Sequence, residues 1–318
     1  MQHFAETVLI PIQLVLAMVG MGATLSVRDF ANVVRDGRAL WLGLFLQWIF
    51  VPLFTWGFIA VFSLSKGWAV GLILIAVVPG GAVSNLLTFI GKGNTPLSVA
   101  LTLVTTAVAI ASVPALLSVL AAAYMPEDFS LPTARVVLEI TLYLVLPLLA
   151  GMIVLRAIPR FAGGLSKWSI RGSVVLVLVI VASSLGTGRI RLAEYGWGPP
   201  LMLTLFGSLL AWITPVLCRF ARRYDDDTVA LSIEVCVRNI GLALLLIHFF
   251  FRDQPEQVHV LYACLYYGGM QLVLALPIAL RHRRGRSPVL LRAPLPRPLA
   301  TSAASTVDAA LASTPASD

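Results

Sequence analysis

The sequence predicts an all-α polytopic membrane protein of nine transmembrane helices, and three observations carry that prediction. Of its 318 residues, 58% are hydrophobic and only 12% charged, against about 25% charged in a soluble domain, so the chain cannot clothe a globular surface. The mean hydropathy is +0.90. Apolar runs recur at about 18–25 residues, the length an α-helix needs to cross a hydrocarbon layer of about 30 Å.

The spans fall at about 7–26, 39–62, 68–91, 96–124, 134–157, 170–188, 197–220, 228–251 and 257–280. The first follows Glu6 and lacks a basic leader, so it reads as a retained helix rather than a signal peptide. SVRDFANVVRDGR leads into the second, which carries Gln47 at mid-span. SLSKG and GKGN bracket the third, whose middle reads PGGAVSNLLTF. The fourth begins with Ser98 and Thr102, spaced i,i+4 and therefore on one helix face. MPEDFSLPTAR precedes the fifth, with Glu139 near its outer end, and RAIPRFAGGLSKWSIR reads as the loop before the sixth. GTGRIRLAEYGWG and RRYDDD flank the seventh. The eighth holds EVCVRNIGL in its middle, and FRDQPEQ divides it from the ninth. His248 and His259 read as interfacial, and most Trp residues sit near span ends as anchors do. The membrane domain is thus 1–282, its halves at about 7–124 and 134–280. Residues 283–318 form a basic, then Pro-, Ala-, Ser- and Thr-rich tail without helical periodicity, read as disordered and cytoplasmic.

The net charge of +8 lies in loops rather than along one helix face, which argues against a nucleic-acid partner. Fifteen Lys and Arg residues occupy one set of alternate loops together with the C-terminal cluster RHRRGR, against five in the other set. The positive-inside bias then places the N-terminus outside and the C-terminus in the cytoplasm of an inner (plasma) membrane protein. Cys218, Cys236 and Cys264 are scattered without ligand spacing, so neither a disulfide nor a metal site is expected. No nucleophile–base pair or phosphate loop points to an enzyme. The expected partners are the lipid bilayer and a small molecule, with no protein partner.

Two spans are broken. Pro79 removes a backbone donor, and Gly80–Gly81 permits dihedrals a helix interior does not need. The eighth span places Glu234, Arg238, Asn239 and Gly241 near its middle. Backbone groups freed at such breaks must find protein, water or ligand, since lipid offers none. Paired discontinuous helices, one in each half, mark the midplane site of inverted-repeat transporters. Ser84, Asn85, Ser98, Thr102, Gln47 and Glu234 supply oxygen ligands around them, which suit a hard monovalent cation.

GMGATLSVRDF, PGGAVSN, KGNTPLSVALT and EVCVRNIGLA, in that order, resemble the bile acid:sodium symporter family over about residues 10–280. The resemblance implies two inverted repeats, core and panel domains, two broken helices crossing in the core, and sodium-driven uptake of organic anions. Nine spans rather than ten match members that lack the first helix. The resemblance also implies that Ser84, Asn85, Ser98, Thr102 and Glu234 form a first sodium site. Gln47 and Glu234–Val237, including Val235 and Val237, match much of a second. Na+ is the expected coupling ion, with no other cofactor.

Three positions depart from the family pattern. Arg238 stands where a Gln usually binds the second ion, Ala82 where a Thr lies close to substrate, and Cys236 where a Gly is usual. Asn239 matches and is a candidate substrate contact. Arg238 has three readings: it replaces the second sodium, pairs with the substrate carboxylate, or forms a structural ion pair with Glu234 one helical turn away. Arsenite carriers, which rely on a cysteine near the first break, fit poorly. The functional expectation is a secondary active transporter of a small organic anion, bile-acid-like or carboxylate, coupled to sodium. The alternatives are a proton-coupled or uncoupled carrier with Arg238 replacing one ion, and a non-transporting membrane sensor.

Overall fold

An apolar run in lipid becomes a helix because a helix satisfies its backbone N–H and C=O groups within one segment. The computed structural model describes residues 8–24, 37–124, 133–186, 195–222, 225–250 and 256–283, and their regular structure is helical throughout. In chain order the helices are α1 Ile10–Gly22, α2 Arg38–Val61, α3 Lys66–Val77, α4 Ala82–Ile90, α5 Thr95–Leu120 and α6 Thr133–Ala157. There follow α7 Pro159–Gly186, α8 Gly198–Phe220, α9 Asp225–Cys236, α10 Ile240–Phe250 and α11 Gln257–Arg283. Among them α2, α5, α6, α8 and α11 are long and apolar enough to cross a membrane, as a polytopic membrane protein requires. The C-terminal tail expected beyond 283 lies outside the described residues.

Both α2 and α6 widen into a π turn, at Leu46–Phe50 and Thr141–Val145, just ahead of Pro52 and Pro147. A proline ring clashes with the carbonyl four residues earlier, and the wider turn makes room for it. Gln47 lies in the first of these turns. The sequence is overturned at 159–169, read as loop but helical in α7. Pro159 takes the first helical position, where its missing N–H costs no hydrogen bond. Across the expected start at 170, the Arg171 guanidinium sits 5.6 Å from the Trp168 ring.

Packing explains where the two breaks lie. Helix α1 packs along α6 and α7 and also touches α10. At its contact with α6 the backbones meet through glycine: a Cβ on Gly22 would stand 2.1 Å from the Leu148 carbonyl oxygen. Helix α3 is apolar on every side and buried almost throughout, from Ala69 to Val78, held by α11, α2 and α5. Helix α9 packs against α4, α5, α8 and α11. Large apolar side chains left exposed, such as Trp41, Trp56, Ile153, Trp212 and Phe220, suit a surface that faces lipid.

Candidate functional site

The two breaks meet. Val78–Gly81 between α3 and α4, and Val237–Asn239 between α9 and α10, are non-helical, and they pair as an isolated antiparallel bridge through Gly80 and Arg238. Gly81 N donates to the Val237 carbonyl at 3.0 Å, and Asn239 N donates to the Pro79 carbonyl at 2.9 Å. Each break therefore satisfies backbone groups that the other has freed, which lipid could not do. The α11 side chains complete the arrangement. Gln271 Oε1 accepts from Arg238 N at 2.8 Å, and Tyr267 donates its hydroxyl to the Cys236 carbonyl at 3.0 Å. Gly80 has no room for a side chain, because a Cβ there would lie 2.0 Å from Glu234 Oε1.

Beside the bridge, five of the sequence-predicted residues converge. Glu234 is 1% exposed and accepts from Ser84 Oγ at 2.5 Å, Ser98 Oγ at 3.0 Å and Thr102 Oγ1 at 2.6 Å. Asn85 Oδ1 lies in the same cluster, 2.8 Å from Ser98 Oγ and 3.3 Å from Thr102 Oγ1. The i,i+4 spacing of Ser98 and Thr102 on α5 aims both hydroxyls at α4 and α9, as their spacing predicts. Each hydroxyl has one proton but lies within hydrogen-bond distance of two or three acceptor oxygens. A cluster with more lone pairs than protons is chemically fitted to a hard cation.

Arg238 does not join that cluster. Helix α9 ends at Cys236, so the one-turn spacing that would bring Arg238 over Glu234 is lost, and among the described residues no ion pair links the two. The guanidinium instead donates from Nε to the Ile75 carbonyl at 3.1 Å, from Nη1 to Gln47 Oε1 at 3.1 Å, and from Nη2 to the Ala76 carbonyl. Gln47 therefore serves Arg238, not Glu234. The Val237 carbonyl is engaged by Gly81 N, and Val235 is buried within α9.

A pocket opens against the bridge, lined by the first residues of α4 (Ala82, Val83) and of α10 (Ile240, Gly241), and by Asn239. Both helices begin there, so their N-terminal N–H groups and dipoles favour an anion. Asn239 Oδ1 caps α10 by accepting from Leu242 N at 3.2 Å, which fixes the amide orientation and leaves Nδ2 buried without a hydrogen-bond partner. The α1 side chain Gln13 lines the same pocket and donates to Ser173 of α7 at 2.9 Å. Sequence reasoning missed Gln13, Ser173 and Gln271. A polar residue in the middle of an apolar run singled out Gln47, and the same signal marks Gln13 and Gln271.

The sequence pattern described as "Sodium Bile acid symporter family" matches residues 11–192. The chain is 31% identical to the "Uncharacterized sodium-dependent transporter YocS" of Bacillus subtilis over 247 residues, 76% of this chain and 74% of the relative. It is 28% identical over 284 residues to the "Probable sodium/metabolite cotransporter BASS2, chloroplastic" of Oryza sativa subsp. japonica, 86% of this chain and 65% of the relative. It is also 27% identical over 244 residues to the "Sodium-dependent organic anion transporter" of Rattus norvegicus, again 65% of the relative and 74% of this chain. The chain thus spans just under two thirds of the rice and rat proteins.

Proposed function

The chain belongs to the sodium bile acid symporter family, a family of membrane transporters rather than enzymes, and on that premise we propose that it carries a small organic anion together with Na+ by alternating access. The observation that carries this reading is the convergence of Ser84, Asn85, Ser98, Thr102 and Glu234 beside two crossed helix breaks. Na+ binds at that cluster, and the substrate carboxylate meets the N-termini of α4 and α10 and the free Nδ2 of Asn239. Coupling follows if Na+ holds the crossing in the form that binds the anion, since a ligand shifts an equilibrium only by its differential affinity for the two states.

In this reading the chain has nine transmembrane spans arranged as inverted repeats, with α1, α6 and α7 rocking as a panel against the remaining core. Its N-terminus lies outside and its C-terminus in the cytoplasm of the inner membrane. Rat and rice relatives are named for organic anions and metabolites, and a small carboxylate is the cargo in this reading.

The test is uptake by the full chain in proteoliposomes, using labelled pyruvate, lactate, pantothenate and cholate as a carboxylate panel. An inward Na+ gradient is expected to accelerate at least one of these over an equal K+ gradient. Uptake that ignores Na+ would overturn sodium coupling, and stabilisation by a carboxylate without flux would favour a sensor.

A further inference from the structure

Resting on the sodium-coupled reading, we propose that the Arg238 guanidinium is a built-in cation filling a second ion position at the crossing, so that a single Na+ accompanies each anion. The side chain is 3% exposed, and all three of its nitrogens donate to oxygens of the scaffold: the carbonyls of Ile75 and Ala76 and the side chain of Gln47. The break explains why those carbonyls are available. In a continuous helix the Ile75 carbonyl would accept from the N–H of residue 79, but that residue is a proline and has none. The Ala76 carbonyl would accept from residue 80, which has left the helix for the bridge. The break thus creates a cage of two orphan carbonyls and one amide oxygen, the donor set a monovalent cation takes. Arg238 reaches into it with a charge that cannot be removed by deprotonation.

The same geometry argues against the other two roles for Arg238. A guanidinium reserved for the cargo would keep its fork free for a bidentate carboxylate, but here Nε and one N–H of each Nη are spent on the scaffold. A structural ion pair would place it on Glu234, and among the described residues no such pair forms. Charge balance favours one mobile ion. Among the described residues the crossing holds one buried carboxylate, Glu234, and one buried guanidinium, Arg238, so a bound monocarboxylate is neutralised by one Na+ at the Glu234 cluster. A second Na+ would leave an unpaired positive charge away from water, which is costly. Because Arg238 is tethered, it contributes charge to the site without crossing with the cargo.

Equilibrium binding of 22Na+ to the purified full chain in detergent, with Na+ as the only ligand, tests this without knowing the cargo. The wild type is expected to bind one Na+ per chain and Glu234→Gln none. Arg238→Gln, which leaves the cage oxygens to a neutral amide, is expected to bind two, while Arg238→Lys stays at one. Two ions on the wild type would overturn the proposal and leave sodium coupling intact. So would a single ion on Arg238→Gln that elutes and melts as the wild type does. Should Arg238→Gln fail to fold, the wild-type count still decides. No ion on the wild type would overturn sodium coupling itself, and the proposal with it.

Discussion

Among the described residues Glu234 is the one formal negative charge in the oxygen cluster at the crossing, and it touches side chains from both α4 and α5. Replacing it with Gln preserves the shape and removes the charge. Na+ affinity is expected to fall at least about tenfold, equivalent to about 1.4 kcal/mol, as read by 22Na+ binding. Gly80→Ala attacks the same contact from the other side, because the added Cβ falls 2.0 Å from Glu234 Oε1. Overpacking of this kind costs about 1–3 kcal/mol, so a lower thermal midpoint in detergent and weakened Na+ binding are expected together. At this scale the sequence was informative about Glu234 and its hydroxyl partners, because i,i+4 spacing on α5 dictates a shared face. It was uninformative about Arg238, whose surroundings depend on helix α9 stopping at Cys236, two residues before the charge. Neither Pro nor Gly in EVCVRN marks that stop, and the capping residue Asn239 signals only where α10 begins.

The broken helices illustrate the same asymmetry between their two breaks. PGG announces the first, and α3 does end at Val77 just before it. The second falls at Val237–Asn239 although the nearest glycine is Gly241 inside α10. It is held open by partners far away in sequence: Pro79 and Gly81 on the opposing break, Gln271 and Tyr267 on α11. Asn239 joins both roles of this element, since it caps α10 with Oδ1, keeps a buried Nδ2 without a partner and lines the pocket. Asn239→Asp keeps an acceptor for the cap but buries a carboxylate, and so is expected to fold and to melt below wild type. It replaces the free donor with an anionic oxygen, and uptake of any carried carboxylate is expected to be lost while Na+ binding persists. Asn239→Ala loses the cap as well and should be destabilised by about 0.5–2 kcal/mol. Finding the Asp variant as active as wild type would remove Asn239 from the anion site.

For the whole molecule, composition and segment length sufficed to read a polytopic helical protein, because the bilayer leaves few other folds. The packing of α1 against α6 was not legible. It rests on Gly22 and Gly151, where a Cβ would stand 2.1 Å and 2.3 Å from carbonyl oxygens of Leu148 and Val19, and isolated glycines in apolar runs give no partner. Gly151→Val is expected to lower thermal stability markedly and to spare the Na+ count per folded chain, since α6 contributes nothing to the Glu234 cluster. With Arg238 fixed in place, Na+-driven uptake of a monocarboxylate moves no net charge, and its rate is expected to be unchanged by a valinomycin-imposed potential.

The central claim is that one crossing binds ion and anion and passes them together, and reciprocity tests it most directly. Proteoliposomes are prepared with equal Na+ on both sides and an inward gradient of the carboxylate found to be carried. The expected result is transient accumulation of 22Na+ above its equilibrium level with the wild type and none with Glu234→Gln. Anion flowing down its gradient while 22Na+ stays at equilibrium in the wild type would contradict the claim.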